Sequence, residues 1–236
     1  MTVTNGNWWA YENLHSGEPY DWGDSAARGD SPWDNLDFHL DLGCGRLPKG
    51  RLGIDRFPAP EVGLMMDLDR MEAVSGYEND AEFGELSERT KDLFVLRDRE
   101  LGKMCHLGLP FPDQSIESII SHHFMEHVGD GFIPLMDECH RVLKPGGVLR
   151  IIVPLFPSRT AVEDPDHKRY FMAGTFETFC GAENGSHWHE SFSVPYTACR
   201  FEKVHQDITG RMETWEDEWG PEDARELRVA LRKRDL

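Results

Sequence analysis

The chain is short of three things, and each shortage removes a class of function. Basic residues are few: 25 Lys+Arg stand against 43 Asp+Glu, a formal net charge of −18 over 236 residues. Binding a phosphate backbone draws on clustered Lys and Arg, so bulk nucleic-acid binding is not expected. Cysteines number five (Cys44, Cys105, Cys139, Cys180, Cys199), an odd and scattered set with no CxxC pair. Neither a disulfide framework nor a cysteine zinc site is indicated. No apolar run approaches the ~20 residues of a membrane span. Residues 1–17, MTVTNGNWWAYENLHSG, have neither the basic nor the apolar region of a signal peptide. A soluble protein of a reducing, cytoplasmic compartment is expected, and in that setting the Asn184-Gly185-Ser186 sequon is a chance match.

What remains is enough for one large domain. The hydrophobic share is 39% and the aromatic share 11%, sufficient for a core. Residues 1–36 mix turn formers with Trp8, Trp9, Trp22 and Trp33, which reads as an irregular arm packed over that core. The texture changes at Asp37, where the main domain (37–236) is expected to begin. "DFHLDLGCG", "RLGIDR" (51–56) and "EVGLMMDLD" (61–69) read as three short strands, and 70–104 as a charged helical insertion. "SIESIISHH" (115–123) reads as a buried strand. Phe132, Met136, Cys139 and Leu143 recur at helical spacing ahead of the "KPGG" stop, after which "VLRIIVPLF" is a strongly apolar strand. "CRFEKVHQDI" and "ELRVALRKR" close the chain as two strands. Strand, turn and helix alternate and then two strands follow, the pattern of an α/β domain with a mostly parallel sheet.

The sharpest local signal is Leu40-Asp41-Leu42-Gly43-Cys44-Gly45, a strand that enters a Gly-x-Gly turn. Glycines there let a ligand approach bare backbone. Only residues 43–50 separate this strand from the next, whereas a crossover carrying a helix takes at least about ten to twelve. A dinucleotide site needs that helix for its pyrophosphate, and an acid about twenty residues after the glycines. Asp55 comes sooner than that. The turn therefore suits a ligand with a ribose and no phosphate, Asp55 accepting the sugar hydroxyls; a tight turn followed by a solvated acid is the bland alternative.

At these residues the chain resembles the class I S-adenosylmethionine-dependent methyltransferases, in particular a small Rossmann-like subgroup with a shortened first crossover. Four ordered stretches carry the resemblance across roughly residues 38–172: "LDLGCG" with "GID" (53–55), "LPFPDQSIESIISHHFMEHV" (109–128), "ECHRVLKPGGVLRIIVP" (138–154) and "DPDHKRYF" (164–171). It implies a mixed, mostly parallel seven-stranded sheet with an antiparallel last strand, and S-adenosyl-L-methionine as cofactor. It makes Asp41, Gly43, Cys44 and Gly45 the turn around the cofactor's methionine end. Asp55, with Arg56 beside it, becomes the ribose site, while Leu109 flanks the adenine and His122 faces the cofactor. An acid usually precedes "LPF" to hold the adenine amino group; here the stretch reads Met104-Cys105-His106-Leu107-Gly108. Asp67, with Leu68, is the substitute expected, and backbone with His106 the alternative. A cationic sulfonium suits a pocket of acids and aromatics.

His122, His123, Glu126 and His127 crowd six positions. His123-Phe124-Met125-Glu126-His127 matches the H-x-x-E-H string of inverted zinc proteases, which requires both histidines on one long helix. Gly129-Asp130-Gly131 leaves barely a turn for it, so this is the lesser reading. Under the methyltransferase reading His123 or His127 is a base near the transferred methyl, or the Glu126–His127 pair merely orders the loop. His167 is a third tentative catalytic residue, and His167 and Arg169 are acceptor-pocket candidates, since loops after strand ends carry function; Asp164-Pro165-Asp166 is otherwise only a turn and helix cap. "HWHE" (187–190) has two histidines at strand spacing and no evident third ligand. No metal site is expected.

The function expected is methyl transfer to a small or medium acceptor, with acceptor choice in 1–36 and 155–198. A catalytically silent cofactor-binding module is the second reading. Oligomeric state and acceptor identity are not legible in the sequence.

Overall fold

The computed structural model describes residues 39–46, 52–60, 62–74, 77, 79–101, 108–181, 197, 199–209 and 225–234. The expected N-terminal arm, residues 104–107 with His106, and the "HWHE" pair lie outside the described residues.

The first three strands are short and nearly wholly buried: β1 (His39–Leu42), β2 (Leu52–Asp55) and β3 (Val62–Asp67). Their apolar residues Leu40, Leu42, Leu52, Ile54, Leu64 and Met66 are sealed from solvent, as befits parallel strands covered on both faces. A two-residue strand, β4 (Glu72–Ala73), turns back antiparallel on β3. The charged segment then forms α1 (Gly84–Leu101), which packs against β3: the Met65 N–H donates to the Thr90 hydroxyl at 3.1 Å. The chain enters β5 (Ile116–His122), turns through a single 3-10 turn (Met125–His127), and forms α2 (Phe132–Val142). Phe132, Leu135, Met136, Cys139 and Val142 are the buried stripe of α2. Its last turn is closed by Lys233, whose ammonium donates to the carbonyls of Arg141 and Leu143 at 3.3 and 2.7 Å.

β6 (Leu143–Pro154) begins directly after α2, five residues ahead of the strand expected at Val148. The "KPGG" turn lies inside it as an irregularity, because Leu143 already pairs with Ile116 before regular pairing resumes at Ser118–Val148. A short helix, α3 (Arg159–Val162), and a 3-10 segment (Thr175–Cys180) follow, then β7 (Phe201–Thr209) and β8 (Glu226–Lys233).

The sheet order is β4-β3-β2-β1-β5-β6-β8-β7. β1, β2, β3, β5 and β6 are mutually parallel, and β8 runs antiparallel to both β6 and β7. This is a Rossmann-like α/β sheet, as expected. The expected seven strands become eight among the described residues, the extra one being β4; two residues of hairpin give no alternation to read in sequence. Strand order reverses between β1 and β5, and in open α/β sheets ligands settle at the carboxyl ends beside that reversal. No described helix is long and apolar enough to cross a membrane.

Candidate functional site

A cavity of about 260 Å³ opens at that reversal, and every wall of it comes from the carboxyl end of a strand. Gly43 follows β1; Asp55, Arg56 and Phe57 end β2; Met66, Asp67, Leu68 and Asp69 end β3. His123, Phe124, His127 and Val128 follow β5, and Asp166 and Lys168 reach in from the loop after β6.

The acid side is built by local turns. The Asp55 carboxylate accepts the Gly45 N–H on Oδ2 and the Phe57 N–H on Oδ1, both at 2.9 Å. These bonds lock the glycine turn to the end of β2, and each oxygen keeps a lone pair for a ligand hydroxyl. Arg56 lies over the Phe57 ring at 4.7 Å. Asp67 accepts the N–H groups of Asp69 and Arg70 in the same manner. The N–H groups of Gly43 and Cys44 fold back onto the Ile54 carbonyl at 2.8 and 3.2 Å. Gly43 sits at φ +68, and a Cβ built there would lie 2.2 Å from the Phe124 ring. Its missing side chain therefore admits Phe124, a use the sequence reading assigned to the ligand.

Asp69 joins the two sides. Its Oδ1 accepts the N–H groups of Gly129 and Gly131 at 3.0 Å, and its Oδ2 lies 3.4 Å from Lys168 Nζ. A Cβ on Gly131 would meet the Asp69 carbonyl oxygen at 2.0 Å, so glycine is required for this approach. No sequence pattern singled out Asp69; its counterparts lie sixty residues along the chain.

The histidine side is built across the chain. His123 adopts φ +52, ending β5 in a left-handed residue. Its Nδ1 lies 3.3 Å from Glu126 Oε1 and its Nε2 3.0 Å from Glu226 Oε1. The Glu126 hydrogen bond, aided by Glu226 and opposed by burial, holds the imidazole above its ordinary value. His127 Nδ1 lies 3.1 Å from Asp166 Oδ2, and its ring meets the edge of His167 at 4.9 Å. The N–H groups of Lys168 and Arg169 both donate to the Glu126 carbonyl, which binds the 164–169 loop to the 3-10 turn. The Arg169 guanidinium donates to the carbonyls of Val128 and Gly129 and covers the Phe132 ring at 4.8 Å. Arg169 is thus a clamp rather than a pocket group.

Of the residues expected at the site, the cavity brings together Gly43, Asp55, Arg56, Asp67, Leu68, His123 and His127. The others lie off its wall. Asp41 and Cys44 are buried behind the turn, with Cys44 packed beside Ala59, Val62 and Met65. Gly45 meets the site only through its N–H on Asp55. Leu109 is fully buried, its N–H donating to Glu138 Oε2 at 2.6 Å and its carbonyl accepting from Arg141. His122 packs edge-on to His123 at 4.6 Å, and His167 sits behind His127 with its Nδ1 on the Ala161 carbonyl at 3.0 Å. The long helix that a zinc-protease reading needs is absent: Met125–His127 is one 3-10 turn, and His123 lies outside it in the left-handed region.

The site's donor set fits a phosphate-free nucleoside carrying positive charge. Asp55, Asp67, Asp69 and Asp166 line it against Arg56 and Lys168, with Phe57 and Phe124 supplying aromatic wall.

Residues 69–151 match the family described as Methyltransferase domain. A protein of Mycolicibacterium smegmatis named Probable S-adenosylmethionine-dependent methyltransferase is 35% identical over 69 residues, 28% of this chain. That match spans about a quarter of the relative's own length (26%). Among solved structures, an S-adenosylmethionine-dependent methyltransferase from Archaeoglobus fulgidus aligns over 85% of this chain and 88% of its own, at 13% identity and a TM-score of 0.45. The 1,6-didemethyltoxoflavin-N1-methyltransferase of Burkholderia thailandensis, solved with 1,6-didemethyltoxoflavin and S-adenosylhomocysteine, aligns over 89% of this chain and 75% of its own, at 14% identity and a TM-score of 0.42.

Proposed function

We propose that this chain is a class I S-adenosylmethionine-dependent methyltransferase that transfers a methyl group from S-adenosylmethionine to a small or medium-sized acceptor, a reading supported by its sheet order and by the match over residues 69–151. The observation that carries this reading is Asp55, held at the end of β2 against the glycine turn with its carboxylate on the cavity wall. When bound, the cofactor supplies an electrophilic methyl on a sulfonium; the protein's share is orientation and exclusion of water.

Asp55 grips the ribose hydroxyls, Asp67 and Leu68 flank the base, and the wall acids balance the sulfonium charge. Proton transfer, where the acceptor requires it, falls to His127, whose Nδ1 is turned to Asp166 and whose Nε2 has no protein partner among the described residues. His123 has carboxylates on both ring nitrogens and positions rather than transfers. The net charge of −18 disfavours a nucleic-acid acceptor. A reducing, cytoplasmic setting belongs to the same reading, supported by buried thiols at Cys44, Cys139, Cys180 and Cys199.

Calorimetric titration with S-adenosylmethionine and S-adenosylhomocysteine, followed by a label-transfer screen against metabolite pools, tests the proposal. Saturable binding lost in Asp55→Ala is expected. Binding of neither compound, or displacement of both by a dinucleotide, sinks it. Binding without transfer to any acceptor supports the silent-module reading instead.

A further inference from the structure

His127 also belongs to a cluster whose other two members, Glu126 and His167, methyl transfer does not use. A Glu126 carboxylate oxygen and one ring nitrogen each of His127 and His167 lie within 4.8 Å of one another. Glu126 is only 1% exposed, and its Oε2 has no hydrogen-bond partner. A buried carboxylate oxygen left so is costly unless something cationic meets it. Each ligand is also oriented from behind. His123 Nδ1 faces Glu126 Oε1, Asp166 faces His127 Nδ1, and the Ala161 carbonyl faces His167 Nδ1. Metal-binding histidines characteristically turn their second nitrogen to a carboxylate or backbone carbonyl, and their carboxylate co-ligands are themselves hydrogen-bonded. With both Nδ1 atoms so engaged, the Nε2 atoms remain to bind, that of His167 lying 3.8 Å from Asp164 Oδ2.

We infer that Glu126, His127 and His167 form a binding site for one divalent first-row transition metal ion, of the zinc class. Two imidazoles and one carboxylate are a recognised donor set for such ions, and three protein ligands leave a fourth position open. Ligand atoms of a tetrahedral zinc stand about 3.4 Å apart, so the three groups, now within 4.8 Å of one another, would draw together around the ion. A second triple, His122, His123 and Glu226, is less suited, since Glu226 already accepts from Arg228 and His123 Nδ1 already faces Glu126. The ion would tie the turn after β5 to the loop after β6, at the cavity wall that His127 lines. It would also occupy the nitrogen that proton transfer needs, replacing that role of His127 while leaving the Asp55 grip untouched. The inference does not depend on methyl transfer, and its test reads metal alone.

The full chain is stripped with chelator and titrated with Zn²⁺, and separately with Co²⁺ while its visible spectrum is recorded. One equivalent is expected, with a tetrahedral cobalt spectrum. His167→Ala and Glu126→Gln should each weaken binding about 100-fold or more, and Asp166→Ala about tenfold, the cost of a lost orienting partner. Circular dichroism shows whether each variant is folded. Should His167→Ala fail to fold, Glu126→Gln, which conserves shape, decides through the cobalt spectrum. A His187→Ala/His189→Ala variant removes the other histidine pair and should bind as wild type. No uptake by the wild-type chain, or uptake lost only in that last variant, overturns the assignment.

Discussion

On one side of the strand-order reversal, β1, β2 and β3 are four to six residues long and deliver Asp55, Asp67 and Asp69 to the cavity. On the other, β5 and β6 are seven and twelve residues long; the turn after β5 delivers His123 and His127, and the loop after β6 Asp166 and Lys168. The two sides hold their groups differently. Asp55 and Asp67 accept N–H groups from residues two or three positions on, and Gly45 is the most distant partner, ten positions away. His127 is oriented by Asp166 from 39 positions away, and His123 by Glu226 from 103. Asp55 and Asp67, held by their own turns, are in place wherever the short strands form, whereas Asp69 reaches across to Gly129 and Gly131. Imidazoles held by remote carboxylates form a site only once the later chain has docked.

The largest effect should come from breaking the acid side. Asp55→Ala would remove the two charged-acceptor bonds proposed to hold the ribose, each worth about 1.5–3 kcal/mol, and should weaken S-adenosylmethionine binding by more than about 100-fold by calorimetry. Next is the hinge between the sides. Gly43→Ala places a Cβ against Phe124 at a left-handed residue, and a loss of about 3 kcal/mol in unfolding free energy is expected, read from the shift of the denaturant midpoint. Adding Phe124→Leu should recover part of that loss; no recovery would mean that backbone strain alone is at fault.

On the histidine side, Arg169→Met keeps most of the packing on Phe132 but frees the Val128 and Gly129 carbonyls. About 2 kcal/mol should be lost, with greater protease sensitivity confined to 123–131 and 164–170. Smallest is the pH effect. His123 is held above its ordinary 6.5 by the hydrogen bond with Glu126 and then by Glu226, so the stability it adds is full below pH 6.5 and lost as pH rises through the elevated value. Glu226, which burial pushes up but the bonds with His123 and Arg228 hold below 4.5, contributes above pH 4.5 and loses that contribution as pH falls through the depressed value. The midpoint difference between wild type and Glu226→Gln should therefore be greatest between pH 4.5 and 6.5 and shrink on either side.

Most of the sheet was legible from sequence because its signals are local. Short apolar strands ending in Gly43 and Asp55, the buried run of β5 and the Phe132–Cys139 stripe each identify themselves within a few residues. β4 was missed because two residues carry no period, and the start of β6 was misplaced because "KPGG" reads as a stop although Leu143 already pairs with Ile116. The same local string His123–His127 matched a zinc motif whose helix does not exist. The grouping that geometry does make, Glu126 and His127 with His167, has no periodic signature, and neither has the bridge from Asp69 to Gly129 and Gly131.

Local chemistry decided that this chain would build a parallel sheet with carboxylates at its short-strand ends, because alternation, glycine turns and Asx-type bonds act between near neighbours. Packing alone decided which histidines meet. The 164–169 loop reaches Glu126 through two backbone bonds and the Arg169 clamp, contacts across some forty residues that no stretch of sequence encodes alone.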